Sequence, residues 1–203
     1  MKIICVARNY LKHAKELNND LPEKPVFFMK PDSAIISNNR PFYIPAFSKD
    51  VHHEVEIIIK INRLGKKISE KFAHRYYNEI GIGIDFTARD IQKICISNGL
   101  PWEIAKSFDG SAVIGRFIDK NKVENIQSLS FSLFLNNQIV QSGNTSDMIF
   151  TIDQIISYIS QFITLKIGDL IFTGTPEGVG PVKIGDQLVA KILDYELLNF
   201  KIK

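Results

Sequence analysis

The stretch HHEVEIIIKI, residues 52–61, has the pattern of a buried β-strand that carries two acids at its start. Side chains alternate between the two faces of a strand, so Val55 and the odd-numbered isoleucines after it share one face. Glu54 and Glu56 then lie next to each other on the opposite face. Two like charges at this spacing repel each other unless a cation or a shared proton compensates, and burial increases the cost. The alternative is a solvated strand end with both acids in bulk water.

Strand patterns dominate the rest of the chain, with a few short helices between them. Further strands are expected over residues 2–7, 25–30, 78–86, 112–118 and 129–141. The composition is 45% hydrophobic and 23% charged, which fits one compact domain over residues 1–203. We therefore expect a β-rich α+β fold in a single domain.

Helices are expected in four places. In TIDQIISYISQF, residues 151–162, Thr151 stands three residues before Gln154, which is the pattern of a capping box. The isoleucines of this segment recur on one face, which indicates packing against the core rather than a cofactor site. The other helices are expected over about 10–19 with Asn9 as cap, over about 69–78, and from Thr87 to Gly99 with Thr87 and Asp90 as a capping box.

Charge, hydropathy and cysteine spacing argue against several classes of protein. The formal net charge is +3 and the lysines are scattered, which argues against a nucleic-acid-binding surface. No apolar run approaches the ~18 residues of a membrane span, and the N-terminus lacks a signal-peptide pattern, so we expect a cytoplasmic protein without membrane contact. Cys5 and Cys95 have no CxxC spacing and are expected to be buried, reduced thiols.

Asp85 is a third acid that can join the first two. It ends a strand in which glycines alternate with isoleucines, and glycines in a strand often permit the close approach of another backbone or of a ligand. If Asp85 converges on Glu54 and Glu56, the three form an all-oxygen site. Such a site suits Mg²⁺, Mn²⁺ or Ca²⁺ and disfavours zinc. Three carboxylates also leave coordination positions for water or for substrate oxygens, as catalytic metal sites do.

Three further polar residues occur in patterns that suit chemistry. His13 and Glu16 are three residues apart on an expected helix, so the carboxylate can orient an imidazole that takes a proton from water. A pair of solvated side chains is the alternative. Lys106 follows an apolar segment and precedes a glycine turn, which is consistent with an inward-facing cation or with a solvated lysine.

The loop TGTPEGVGPV, residues 173–182, is rich in glycine but matches no nucleotide-binding pattern. It lacks a following helix and the GK[ST] sequence. Its backbone N–H groups and Thr175 can hold a small carboxylate, and a plain hairpin turn is the alternative. The tetrapeptide KIGD occurs twice, at 166–169 and 183–186, each time before an apolar strand, which predicts two similar turns.

Taken together, six motifs in this order resemble the fumarylacetoacetate hydrolase family, in particular its short acylpyruvase and oxaloacetate decarboxylase branch. The resemblance extends over nearly the whole chain from about Cys5 onward. It implies a mixed β-sandwich roll that usually forms a homodimer. The motifs are CVARNYLKHAKE, FFMKP, HHEVEIIIKI, GIDFTARDIQ, GLPWEIAKSFDGSA and LIFTGTPEGVGPVKIGD.

The same resemblance implies roles for individual residues. A Mg²⁺ or Mn²⁺ ion is expected at Glu54, Glu56 and Asp85. His13 and Glu16 are expected on a segment that closes over the site and activates a hydrolytic water. The remaining expectations are that Lys106 stabilises a developing enolate, that Thr175 contacts the substrate carboxylate, and that Arg8, Lys30 and Gln92 lie near the pocket.

The function implied is that of a metal-dependent enzyme of small 2-oxo acids. The favoured reactions are hydrolysis of acylpyruvates and decarboxylation of oxaloacetate. Both leave an enolate of pyruvate that a dication and an ammonium stabilise. Alternatives are an isomerase or hydratase of catechol breakdown, such as one acting on 2-hydroxyhepta-2,4-diene-1,7-dioate, and an oxaloacetate keto–enol tautomerase. His13 with Glu16 favours hydrolysis, since a tautomerase needs no activated water. A non-catalytic protein that binds 2-oxo acids is the alternative from a different class.

Overall fold

Three β-sheets and a few short helices make up the protein, in a computed structural model that describes residues 1–16 and 20–203. The predicted β-rich α+β class is confirmed. The strands are β1 Ile3–Ala7, β2 Val26–Lys30, β3 Ile35–Ile36, β4 Val51–His53, β5 Val55–Ile61, β6 Tyr77–Asp85, β7 Thr87–Ala88, β8 Ala112–Asp119, β9 Ser130–Leu135, β10 Gln138–Asn144, β11 Leu170–Phe172, β12 Gly180–Pro181, β13 Gln187–Ile192 and β14 Tyr195–Lys201. The helices are α1 Leu11–Glu16, α2 Glu70–Ala73, α3 Arg89–Ser97, α4 Glu103–Lys106 and α5 Ile152–Phe162.

The largest sheet has seven strands in the order β2-β1-β11-β5-β6-β8-β3. It is mixed, because β1 pairs with β11 and β3 pairs with β8 in parallel, whereas the other neighbours are antiparallel. A four-stranded sheet, β10-β9-β13-β14, and a three-stranded sheet, β12-β4-β7, complete the fold. Strand β5, from the opening stretch, therefore lies in the middle of the largest sheet.

The two faces of β5 are buried in different clusters. Val55 and Ile57 belong to the main hydrophobic core, together with residues of the four-stranded sheet and of α5. Ile58 packs on the opposite face in a smaller cluster that includes Cys5. Cys5 and Cys95 are both buried and free, as expected. Because both faces are covered, any acid on β5 must be compensated inside the protein.

The predicted capping box of α5 is confirmed. The Thr151 hydroxyl accepts from Gln154 N–H, and the Gln154 side chain accepts from Thr151 N–H. The two KIGD turns are also confirmed. Asp169 Oδ2 accepts from Lys166 N–H, and Asp186 Oδ2 accepts from Lys183 N–H, both at 2.7 Å. No helix within the described ranges is long and apolar enough to cross a membrane.

Other predicted elements are wrong in detail. The helix expected over 69–78 ends at Ala73, and the segment expected as one strand over 129–141 is the hairpin of β9 and β10. Thr87 does not cap α3, because it belongs to β7 and pairs with His52. The helix expected over about 10–19 is described only as α1, and its part at 17–19 lies outside the described residues.

Candidate active site

The pairing of β5 with β6 brings the three predicted acids together. The register places Glu56 opposite Gly83, and Asp85 N–H donates to the Glu54 carbonyl at 2.8 Å. Directly opposed residues of an antiparallel pair point to the same face. One carboxylate oxygen from each of Glu54, Glu56 and Asp85 lies within 4.8 Å of the others, and all three residues are buried. A solvated strand end is therefore the wrong interpretation.

The glycines of β6 make room for the protein itself. A Cβ atom at Gly83 would lie 2.4 Å from the Val113 carbonyl oxygen and 2.6 Å from Ile58 Cδ1. A Cβ atom at Gly81 would lie 2.9 Å from the Phe117 ring. A glycine in a strand can permit the close approach of a ligand or of other protein groups, and these two glycines permit the approach of other protein groups.

Cations surround two of the acids. Lys106 Nζ lies 2.8 Å from Glu54 Oε2 and 2.9 Å from Asp85 Oδ2, so it faces inward and is not solvated. Lys30 is the last residue of β2, and its Nζ lies 2.8 Å from Asp85 Oδ1. The Arg89 guanidinium pairs with Glu54 from the first turn of α3. Sequence reasoning missed Arg89, although it stands inside the motif GIDFTARDIQ, four residues after Asp85.

The cations act differently on the pKa values of the acids. Burial opposes the ionisation of Glu54, but the charges of Lys106 and Arg89 prevail and lower the pKa of Glu54 below its ordinary value. Burial raises the pKa of Glu56 well above its ordinary value, and the negative charges of Asp85 and Glu54 raise it further. The Gly174 N–H, which donates to Glu56 Oε2 at 2.7 Å, offsets part of that rise. Glu56 is thus an acid that a further cation would stabilise as an anion.

These residues fit a hard divalent cation. The donor set is made of carboxylate oxygens alone, it is buried, and it borders an open cavity. Mg²⁺ and Mn²⁺ prefer such oxygen ligands. The fixed cations pair with Glu54 and Asp85, whereas the pKa of Glu56 is raised by burial and by the charges of those two acids.

A cavity of about 370 Å³ opens in front of the acids. The apolar part of its wall includes Val6, Phe28, Ile96 and Trp102. The polar part includes all the predicted site residues except Glu16 and Lys30, which lie behind His13 and Asp85 respectively. The predicted residues that line the cavity are Arg8, His13, Glu54, Glu56, Asp85, Gln92, Lys106 and Thr175.

The imidazole of His13 reaches the cavity from α1. Its Nδ1 atom lies 3.1 Å from Glu16 Oε2, so Nε2 is the ring nitrogen left for another partner. Glu16 Oε1 in turn accepts from Gly178 N–H at 3.1 Å. His13 is buried and lines the cavity, whereas Glu16 is exposed to solvent.

Asn9 anchors the chain just before α1 instead of capping it, which corrects the sequence prediction. Its Nδ2 donates to the Thr173 carbonyl at 2.8 Å and to the Phe150 carbonyl at 3.1 Å, and its Oδ1 accepts from Phe150 N–H. Arg8, the preceding residue, has a φ of +57°. The segment that carries His13 therefore begins at a sharp bend fixed by a buried amide.

The glycine-rich loop 173–182 is not a plain hairpin turn. The strands at its two ends belong to different sheets, since β11 pairs with β1 and β5 whereas β12 pairs with β4. The loop donates its Gly174 N–H to Glu56, and Thr175 lines the cavity. Gly174 has a φ of +100°, and a Cβ atom there would lie 2.8 Å from Asn9 Cβ. Glycine is therefore required where the loop meets both the acids and the anchor.

Comparisons with known proteins extend over the whole fold. Residues 2–201 match the family described as fumarylacetoacetate (FAA) hydrolase C-terminal. The chain is 42% identical over 201 residues to mitochondrial oxaloacetate tautomerase FAHD1 of Mus musculus, covering 99% of this chain and 91% of that protein. It is 44% identical over 188 residues to mitochondrial oxaloacetate decarboxylase of Dictyostelium discoideum, covering 92% and 86%.

A solved structure is similar at the level of the fold. Fumarylpyruvate hydrolase from Pseudomonas aeruginosa, solved in complex with Mn²⁺ and pyruvate, superposes with a TM-score of 0.94 at 33% identity. The superposition covers 100% of this chain and 89% of that one. The similarity is therefore a property of the complete chain and not of a single motif.

Proposed function

This chain belongs to the fumarylacetoacetate hydrolase family, as the match over residues 2–201 shows, and we propose that it is a divalent-metal-dependent enzyme acting on oxaloacetate. One observation carries the proposal: three buried carboxylates and Lys106 face one cavity of about 370 Å³. The similarity to an oxaloacetate tautomerase and to an oxaloacetate decarboxylase supports oxaloacetate as substrate. Glu54, Glu56 and Asp85 would hold a Mg²⁺ or Mn²⁺ ion.

Keto–enol interconversion and decarboxylation of oxaloacetate share one requirement. Removal of a proton from C3, or loss of CO₂ from C4, leaves negative charge on the enolate oxygen at C2. A divalent ion held by Glu54, Glu56 and Asp85 would supply Lewis-acid stabilisation of that charge. Lys106 adds an ammonium that is already fixed beside Glu54 and Asp85, so that little reorganisation is needed as the charge develops.

His13 is the residue that we assign to proton transfer. Glu16 holds its Nδ1 and leaves Nε2 to exchange a proton with C3 of the substrate. Glu16 is itself fixed by Gly178 N–H, so the imidazole has a defined orientation over the cavity. We further propose that Thr175 contacts the substrate carboxylate, and that Arg8, Lys30 and Gln92 support the pocket.

Hydrolysis of acylpyruvates is the second candidate, and the His13–Glu16 pair is the observation that favours it. An imidazole held by a carboxylate can take a proton from water, which then attacks the acyl carbonyl and releases pyruvate as its enolate. The similarity to fumarylpyruvate hydrolase supports this reading. An isomerase of catechol-derived dienoates would use the same enolate chemistry.

The remaining assignments are also proposals. We propose a homodimer, as the family resemblance implies, that contacts neither membrane nor nucleic acid. We place the protein in the cytoplasm, where the two free thiols would stay reduced. Sedimentation of the purified protein tests the homodimer, and fractionation of cells that express the protein tests its location.

An assay of purified protein tests the function. Oxaloacetate tautomerisation, CO₂ release and acylpyruvate cleavage are followed with Mg²⁺, with Mn²⁺ and with excess EDTA. We expect turnover of oxaloacetate that EDTA abolishes and either metal restores. Equal rates in EDTA would overturn the metal assignment. Tight pyruvate binding without turnover of any substrate would support the non-catalytic alternative instead.

A further inference from the structure

Gln141 is a buried amide that connects the four-stranded sheet to the candidate active site. It lies in β10 and is only 1% exposed. The pairing of β10 with β9 steps from Ile139 opposite Phe134 to Gln141 opposite Leu133, so one residue is inserted at a β-bulge. A bulge of this kind redirects the side chain beside it. Here the amide of Gln141 is directed toward the glycine-rich loop and β5.

Two backbone groups fix which way this amide points. Gln141 Oε1 accepts from Val55 N–H at 3.0 Å, and Gln141 Nε2 donates to the Pro176 carbonyl at 3.0 Å. A backbone N–H can only donate and a carbonyl can only accept, so the oxygen and nitrogen of the amide cannot be exchanged. His53 Nδ1, 2.9 Å from the same Oε1, must then carry a proton.

The fixed amide sets the polarity of a hydroxyl in the cavity wall. Gln141 Nε2 also donates to Thr175 Oγ1 at 2.9 Å, so the hydroxyl acts as an acceptor toward Gln141. Its own hydrogen is then free to be donated elsewhere. Thr175 lines the cavity that contains the three acids, and so a ligand oxygen in that cavity is an available acceptor.

We propose that Gln141 is a positioning residue that fixes the Thr175 hydroxyl as a hydrogen-bond donor to a carboxylate of the bound 2-oxo acid. The proposal rests on the proposed function in one respect, namely that a 2-oxo acid occupies this cavity. It adds a residue from the four-stranded sheet that does not itself line the cavity.

Close packing makes the loop depend on β10 in a second way. A Cβ atom at Gly178 would lie 2.4 Å from the Val140 carbonyl oxygen, and one at Gly143 would lie 2.9 Å from Pro176 Cγ. The loop thus rests directly on the bulged strand. Small shifts of β10 are therefore transmitted to the loop that carries Thr175.

A double-mutant cycle with pyruvate as probe tests the proposal. The affinity of the Mn²⁺-loaded protein for pyruvate is measured by calorimetry for wild type, Gln141→Met, Thr175→Val and the double variant. Gln141→Glu is measured beside them, because it keeps the acceptor for Val55 N–H and loses both donors. Gln138→Met is the matched control, since Gln138 is an exposed residue of the same strand. The affinity for Mn²⁺ is measured for every variant.

The expected result is non-additive. Gln141→Met, Gln141→Glu and Thr175→Val should each weaken pyruvate binding about tenfold, and the double variant should match Thr175→Val within about twofold. Affinity for Mn²⁺ and the Gln138→Met values should stay at wild-type level. Unchanged pyruvate affinity in the folded Gln141 variants, a multiplicative double variant, or an equal loss of Mn²⁺ affinity would each overturn the proposal.

Failure of the proposed function gives a different result. A wild-type protein that binds pyruvate but turns over neither oxaloacetate nor acylpyruvates contradicts the function and leaves the cycle to decide on Gln141. A wild-type protein that binds no pyruvate overturns both.

Discussion

Glu54 and Asp85 share one ammonium group: Lys106 Nζ lies 2.8 Å from Glu54 Oε2 and 2.9 Å from Asp85 Oδ2. Glu54 lies between β4 and β5, Asp85 is the last residue of β6, and the lysine comes from the end of α4. Burial alone would lower the pKa of Lys106, but the charges of Asp85 and Glu54 prevail and raise it above its ordinary value. The lysine is therefore held in its charged form, as the stabilisation of an enolate requires.

Substitution of Lys106 by methionine tests this relationship. Turnover of oxaloacetate should fall about a hundredfold or more, because an ammonium fixed beside the developing oxyanion is lost. Melting of the metal-free protein should also occur at lower temperature, since Glu54 and Asp85 are left buried with less compensation. Lys60→Met is the control, because Lys60 of β5 pairs with Glu79 of β6 and both side chains are partly exposed. Wild-type turnover in Lys106→Met would contradict the assigned role.

Local sequence patterns predict part of this site and not the rest. The shared face of Glu54 and Glu56 follows from strand alternation, which is a local property. The convergence of Asp85 depends on the β5–β6 register, and the pairing of Arg89 with Glu54 spans 35 positions, so neither can be derived from a local pattern. The inward position of Gln141 cannot be predicted from a local pattern either, since it depends on the bulge in β10.

Tertiary pairing also explains the wrong helix predictions. The helix expected over 69–78 stops early because Tyr77 pairs with Ile61 at the start of β6. Thr87 is a good capping residue by type, yet its pairing with His52 in the short β4–β7 ladder determines its conformation. Asn9 has the composition of a helix cap, but its amide contacts distant carbonyl groups. In each case a long-range contact outweighs a weak local propensity.

Substitution of His13 separates acylpyruvate hydrolysis from oxaloacetate decarboxylation. His13→Ala should slow acylpyruvate hydrolysis about a hundredfold, because the hydrolytic water loses its base. Oxaloacetate decarboxylation should fall by about tenfold at most, since no water attacks the substrate in that reaction and solvent can protonate C3 of the enolate in place of His13. His74→Ala is the control, because His74 is exposed at the end of α2. Equal losses in both reactions would show that His13 does not generate a nucleophile.

The twin KIGD turns give a matched pair for stability. Burial acts against the ionisation of Asp169, but hydrogen bonds from Lys2 and from Lys166 N–H prevail and lower its pKa below the ordinary value. A carboxylate whose pKa is lowered by folding stabilises the protein above its unfolded-state pKa, and this contribution is lost as the pH falls. Asp169→Asn should therefore lower the free energy of unfolding by about 2 kcal/mol at neutral pH.

The difference between this variant and wild type should begin to shrink as the pH falls through the unfolded-state pKa of Asp, about 4, and should vanish only below the lowered folded-state pKa of Asp169. Asp186→Asn is the control, because Asp186 closes the second KIGD turn, which lies at the surface. This substitution should lower the free energy of unfolding by about 0.5 kcal/mol. Urea unfolding at a series of pH values measures both. A constant difference between Asp169→Asn and wild type down to pH 3 would contradict the linkage.

Substitution of Glu56 by glutamine tests whether the acids form a metal site. The amide can still accept from Gly174 N–H, which donates to Glu56 at 2.7 Å, but it removes one of three clustered negative charges. The pKa of Glu56 is raised by burial and by the charges of Asp85 and Glu54, so the metal-free variant should melt at the wild-type temperature or above it.

Added Mn²⁺ should raise the melting temperature of wild type and have little effect on the Glu56→Gln variant, since one ligand charge is missing. Glu79→Gln on β6 is the control, because Glu79 pairs with Lys60 away from the cavity and should leave the response to Mn²⁺ intact. An undiminished response to Mn²⁺ in Glu56→Gln would mean that the ion binds elsewhere.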